Sequence, residues 1–130
     1  MGKQTHKDLE IWQRGIDFVS RIYLATKRVP KEEEYGLKSQ MRRAAVSFPA
    51  NIAEGAARAS KKEYTQFLYI ALGSLSELET QLMIADKLGY LKAAELLDEV
   101  ETLRRKTLNL IKYMKSGVEQ KPDGREGRKA

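Results

Sequence analysis

The sequence predicts an all-α protein, an antiparallel up-down-up-down four-helix bundle, and three observations support this. Apolar residues recur at threes and fours in four separate stretches, the period of an amphipathic helix. Ala, Leu, Glu, Lys and Arg are abundant, and only three prolines occur in 130 residues. The stretches are joined by short links, which make neighbouring helices antiparallel. The length suits a single core that needs no staple, and the absence of cysteine excludes disulfides and thiolate metal sites. Residues 1–116 are therefore read as the bundle domain. Residues 117–130 mix charge with glycine and proline without a burying pattern, and read as a disordered basic tail.

Residues 1–7 lack periodicity and read as a frayed end. From Asp8, the residues Leu9, Trp12, Ile16, Val19, Tyr23 and Thr26 form one stripe, predicting a first helix that ends near Arg28, before Pro30. Residues 29–36 form the connection, in which three consecutive glutamates fan outward as a solvated turn and do not converge as metal ligands must. The second helix is predicted from Leu37 to Arg58. Leu37, Met41, Ala44, Phe48, Ile52 and Gly55 share its apolar face, flanked by Gln40, Arg43, Ser47, Asn51 and Glu54. Pro49 removes the amide that would bond to Ala45, so a bend is expected between Ala45 and Pro49.

Ser60-Lys-Lys-Glu63 matches a capping box, opening a third helix at Lys61 that runs to Leu88 and closes with Gly89 in the left-handed cap position. Its inner stripe is expected to be Tyr64, Phe67, Ala71, Ser74, Leu78 and Ala85. Leu68, Tyr69, Leu72, Leu75, Met83 and Ile84 then make it apolar almost all round, and a helix of that kind is covered on more than one side. A second copy of the chain is the expected cover, with Tyr69 and Leu72 as subunit contacts. Gly73 weakens the helix by about 1 kcal/mol and suggests close helix contact there. A fourth helix, from about Ala93 to Lys115, carries Leu96, Val100, Leu103, Thr107, Leu110, Ile111 and Met114.

No catalytic constellation is legible. His6 is the only histidine and lies in the frayed end, so Ser47 or Ser74 has no base to activate it. There is no glycine-rich phosphate loop and no Glu-x-x-His pair, so no metal, no cofactor and no enzymatic activity are expected. No apolar run is long enough to span a membrane and no signal-peptide pattern occurs, which predicts a cytoplasmic protein without membrane attachment.

The charge is unevenly placed. Residues 38–62 carry six cations against Glu54 alone, net +5, whereas residues 63–104 carry net −5. Lys38, Arg42, Arg58, Lys61 and Lys62 are thus a candidate nucleic-acid surface. The same block can instead meet the acidic segment of its own fold or of a sister subunit. Without neighbouring exposed aromatics it is expected to neutralise phosphates and not to stack bases. Arg43 and Asn51 are expected to be held by Glu54 or Glu77 as a structural polar motif, and Arg43→Met would then cost about 3 kcal/mol.

The run from Tyr35 to Gly55, with its Arg-Ala-Ala-x-Ser-x-Pro-x-Asn-Ile-Ala-Glu-Gly core, together with Phe67 to Leu82 and Leu88-Gly-Tyr-Leu91, resembles the bacterial four-helix bundle proteins encoded in intervening sequences of 23S rRNA genes. The resemblance spans roughly residues 8–116. It implies fivefold-symmetric homo-oligomers of antiparallel bundles without established enzymatic activity. A related group, the accessory proteins of diversity-generating retroelements, binds reverse transcriptase and nucleic acid. The resemblance thus implies the fold and the assembly more than a function: the basic surfaces predict a self-assembling bundle that binds structured RNA or a ribonucleoprotein, and the alternative is a protein-binding scaffold that docks a partner enzyme such as a reverse transcriptase, comparable to the accessory proteins.

Overall fold

A computed structural model describes residue 6 and residues 9–116; the expected frayed end, His6 apart, and the expected basic tail lie largely or wholly outside the described residues. The described residues form four α-helices, α1 Glu10–Thr26, α2 Leu37–Ala56, α3 Lys61–Lys87 and α4 Ala94–Lys115, with a short 3-10 turn at Lys31–Glu33. Each packs against its neighbours in chain order, and α4 closes back onto α1, while the diagonal pairs keep their backbones farther apart. The result is the expected antiparallel bundle. No strand occurs among the described residues.

The helix ends follow local chemistry. Ser60 Oγ accepts the Glu63 amide at 3.1 Å and opens α3, so the serine half of the predicted capping box is formed. At the far end Gly89 takes φ +80°, the Gly89 amide donates to Asp86 O and the Tyr90 amide donates to Ala85 O. These two bonds make a Schellman cap. The Asp86 carboxylate then accepts the Ala93 amide at 2.8 Å and sets the start of α4. α1 stops at Thr26, two residues short of the expected end, where the Thr26 hydroxyl bonds back to Ile22 O at 2.7 Å. α2 passes through Pro49 without interruption and ends at Ala56, two residues before Arg58.

The core runs along the middle of the square. Phe18 and Ile22 of α1, Met41, Phe48 and Ile52 of α2, and Val100 and Leu103 of α4 are all buried. On α3 the innermost row differs from the expected stripe. Leu68, Ala71, Leu75, Leu78, Leu82 and Ala85 are each 0% exposed, and their steps of three and four are the heptad spacing of a bundle seam. Tyr64 and Phe67 sit at its edge, half-buried. The expectation failed because a helix apolar nearly all round offers two overlapping stripes, and only the partners' positions choose between them.

α2 and α3 share the largest interface, made possible by small residues. Gly55 lies so close to α3 that a Cβ there would come 2.8 Å from Phe67 Cβ and 2.9 Å from Tyr64 Cδ1. Burial in this contact holds the Tyr64 phenol above its usual pKa, so it stays neutral. Gly73, by contrast, faces open space, so the close contact expected there is absent within the chain. Leu72 packs toward the protein's own core, while Tyr69, Ile70, Met83, Ile84 and Leu88 are exposed.

Candidate nucleic-acid interface

The polar flank of α2 is tied together by hydroxyls and not by carboxylates. Asn51 Nδ2 donates to Ser47 O and Ser47 Oγ, both at 2.9 Å. Ser47 Oγ and Ser74 Oγ lie 2.7 Å apart, and Ser74 Oγ reaches Ile70 O at 3.3 Å. One consistent chain of donors therefore runs from Asn51 through Ser47 and Ser74 to the α3 backbone, satisfying groups at a crowded helix contact. The expected carboxylate partners are engaged elsewhere: Glu54 binds Arg58 at 2.7 Å and Glu77 accepts from Gln81 at 3.4 Å. Arg43 is exposed, shares a cleft with Glu77 and makes no hydrogen bond or ion pair with any described residue.

The correction reverses one expectation. Because no buried pair is broken, Arg43→Met should change stability by less than about 0.5 kcal/mol, as an exposed substitution does, and not by about 3 kcal/mol. A thermal melt of the two proteins checks it.

The five candidate basic residues do not form one surface. Lys38 and Arg42 stand on the first turns of α2, whereas Arg58, Lys61 and Lys62 lie past its far end. Twenty residues of helix separate Lys38 from Arg58, which is about 30 Å. The acidic segment does not absorb the block in the way its charge suggested. Glu99 takes Arg14 in a two-bond pair at 3.0 and 2.7 Å, and Arg104 is held between Glu79 and Glu101. The Glu99 hydrogen bond raises the Arg14 pKa further, so this pair is a fixed tie between α1 and α4. Lys38 and Arg58 pair with glutamates one turn away on the chain, Glu34 at 3.1 Å and Glu54 at 2.7 Å.

At the far end the antiparallel topology adds residues that charge counting along the chain missed. The end of α4 comes beside the start of α3, so that Lys61, Lys62, Thr65, Gln66, Tyr69, Met114 and Lys115 line a cleft of about 330 Å³, with no carboxylate among the described residues of its wall. The Lys115 ammonium lies 5.5 Å from the Tyr69 ring centroid, and the Arg58 guanidinium lies 4.8 Å from that of Phe67. Lys115 and Lys112 suit their helix, because cations are favourable in a last turn. Lys61 and Lys62 do not: in the first turn of α3 they face the positive end of the helix dipole, an arrangement that costs a few tenths of a kcal/mol or more. Tyr69, expected at a subunit contact, thus lines a basic cleft, and its neighbourhood corrects the expectation that exposed aromatics are absent.

At the near end a second cleft, of about 580 Å³, is lined by Tyr23, Glu34, Tyr35, Lys38, Ser39, Arg42, Arg43, Val46 and Ser47. Arg42 lies 4.3 Å from the Tyr23 ring centroid and donates to Thr26 Oγ1 at 2.9 Å and Tyr23 O at 3.1 Å. Aromatics therefore accompany the cations at both ends.

The family model for the 23S rRNA-intervening sequence protein matches residues 7–112. The chain belongs to this family. A solved structure from Bacteroides thetaiotaomicron, described as a protein with unknown function from the S23 ribosomal protein family, superposes with a TM-score of 0.70 at 23% identity, over 78% of this chain and 95% of that one. That likeness shows the fold of the intervening-sequence protein and nothing of its activity. No curated protein matches the chain. Among the described residues no helix is long and apolar enough to cross a membrane, and no three His, Cys, Asp or Glu side chains are grouped to hold a metal ion.

Proposed function

We propose that this intervening-sequence protein is a non-catalytic, self-associating RNA-binding bundle that holds the phosphate backbone at the end where α3 begins and α4 stops. The observation that carries this is the cleft of Lys61, Lys62 and Lys115, which brings three lysines together and places two of them against the dipole preference of their own helix. Placing like charge there costs stability, and a bound polyanion repays it. Lys115 beside Tyr69 adds a cation and a ring to the surface, and Arg58 beside Phe67 borders it, where a phosphate would have to compete with the exposed Glu54 carboxylate for its guanidinium. RNA-directed work places the protein in the cytoplasm in this reading.

Self-association is the second half of the proposal. Ile70, Gly73, Glu77, Ile84 and Leu88 fall on one outward face of α3, and Gly73 leaves its backbone open to a close neighbour. The copies are taken as a ring of five, the number implied by the resemblance. Repetition of the lysine cleft around a ring multiplies weak contacts by avidity. The same α3 face also favours a second reading, a scaffold that docks a partner enzyme.

Two triple variants separate the readings. Lys61, Lys62 and Lys115 changed to Gln should lose most of the affinity for RNA fragments at low salt. Arg21, Arg28 and Lys92 changed to Gln, which removes equal charge from another cleft, should lose far less. Equal losses would mean that net charge alone acts, and no binding by the wild type would leave the scaffold reading in front.

A further inference from the structure

Tyr35 is 95% exposed and has no ring or hydrogen-bond partner among the described residues. It stands at the rim of the 580 Å³ cleft at the near end of the bundle, a volume within the range of small-ligand sites. The cations of that cleft are in three different states. Lys38 is neutralised by Glu34 at 3.1 Å, and Arg42 is fixed over Tyr23, whose ring face it occupies. Arg43 alone is uncommitted, and the hydroxyl of Ser39 beside it makes no hydrogen bond with a described residue. Among the described residues that line this cleft Glu34 is the one carboxylate, while Glu77 lines an adjoining cleft that shares Tyr35, Ser39, Arg43 and Ser47 with it.

A free aromatic face, a free guanidinium and a free hydroxyl around one cleft match the parts of a nucleotide. We infer that this cleft binds an unpaired nucleotide of single-stranded RNA, with the base stacked on Tyr35 and the phosphate held by Arg43 and Ser39. The inference rests on the RNA-binding reading and adds to it a substrate class, since the lysine cleft holds phosphates of any RNA whereas Tyr35 needs a base outside a duplex. Arg42, pinned by three contacts, supplies fixed positive potential without having to reorganise. The chemistry is shared by free nucleotides, so the test includes one.

Anisotropy titrations with a labelled single-stranded oligouridine, a duplex of equal length and uridine monophosphate as competitor would decide it. Wild type should prefer the single strand. Tyr35→Ala should weaken single-strand binding roughly 5- to 150-fold, the range of one base stacked on an aromatic side chain, and leave duplex binding unchanged. Tyr35→Trp should restore the preference and show tryptophan quenching on binding. Arg43→Gln should weaken the single strand without affecting the fold. Competition by the mononucleotide at similar concentration would support the site with a free nucleotide as its occupant. If Tyr35→Ala binds the single strand as wild type does while the lysine triple variant has lost RNA, the site falls and the RNA reading stands. If wild type binds neither RNA, both fall.

Discussion

Replacing Phe48 by alanine should destabilise the bundle by about 3–5 kcal/mol, a large share of the roughly 5–15 kcal/mol that holds a domain of this kind. Phe48 is 1% exposed and points from the centre of α2 toward α1, where Gly15 admits it. A Cβ at Gly15 would lie 2.9 and 3.0 Å from two Phe48 ring carbons and 3.4 Å from Pro49 Cβ. Gly15→Ala alone should therefore destabilise by about 1–3 kcal/mol through overpacking, although alanine favours the helix by about 1 kcal/mol. In the Phe48→Ala background the same change has room and should be neutral or stabilising. Denaturant melts of the two single variants and the double variant close the cycle, and additive effects would mean that the two helices do not meet through this pair.

If the chain self-associates through α3 as proposed, changing Ile70 and Ile84 together to glutamate should leave it a monomer without loss of helix content. Both side chains are about half exposed in the single chain and lie on the α3 face that Gly73 leaves open. Buried between copies, each glutamate would carry an unpaired charge into an apolar contact, next to Glu77. Light scattering with circular dichroism reads both quantities. A wild type that is monomeric at micromolar concentration would remove self-association and leave the α3 face to a different partner.

What was legible in the sequence was mostly local. Ser60 with Glu63, Gly89 after Leu88, and the break around Pro30 act within a few residues, and they placed the helix ends within two residues. The α3 seam was harder to read, because Leu68, Leu75 and Leu82 compete with an equally apolar row at Tyr64 and Phe67, and the packing of α2 decides between them. Asn51 was expected to seek a carboxylate, yet Ser47 one turn earlier offers two acceptors at no cost in chain entropy. The basic block looked continuous in the chain, but a helix carries its ends apart, and α4 then returns Lys115 to the Lys61 end. That juxtaposition follows from antiparallel topology and could have been drawn from the predicted bundle alone. Tyr35 could not, since nothing in Glu34-Tyr35-Gly36 says whether the ring turns inward or out.

The dependence of RNA affinity on salt tests the central claim most directly. If Lys61, Lys62, Lys115 and Arg58 hold phosphates, log K for an RNA fragment should fall linearly with log salt, by about 0.7 per contact for a single strand. The variant with Lys61, Lys62 and Lys115 changed to glutamine should lose about two or more units of that slope per bound subunit, while the Arg21, Arg28 and Lys92 variant keeps it. A slope near zero in the wild type, or one that both variants share unchanged, would contradict phosphate binding at this end of the bundle.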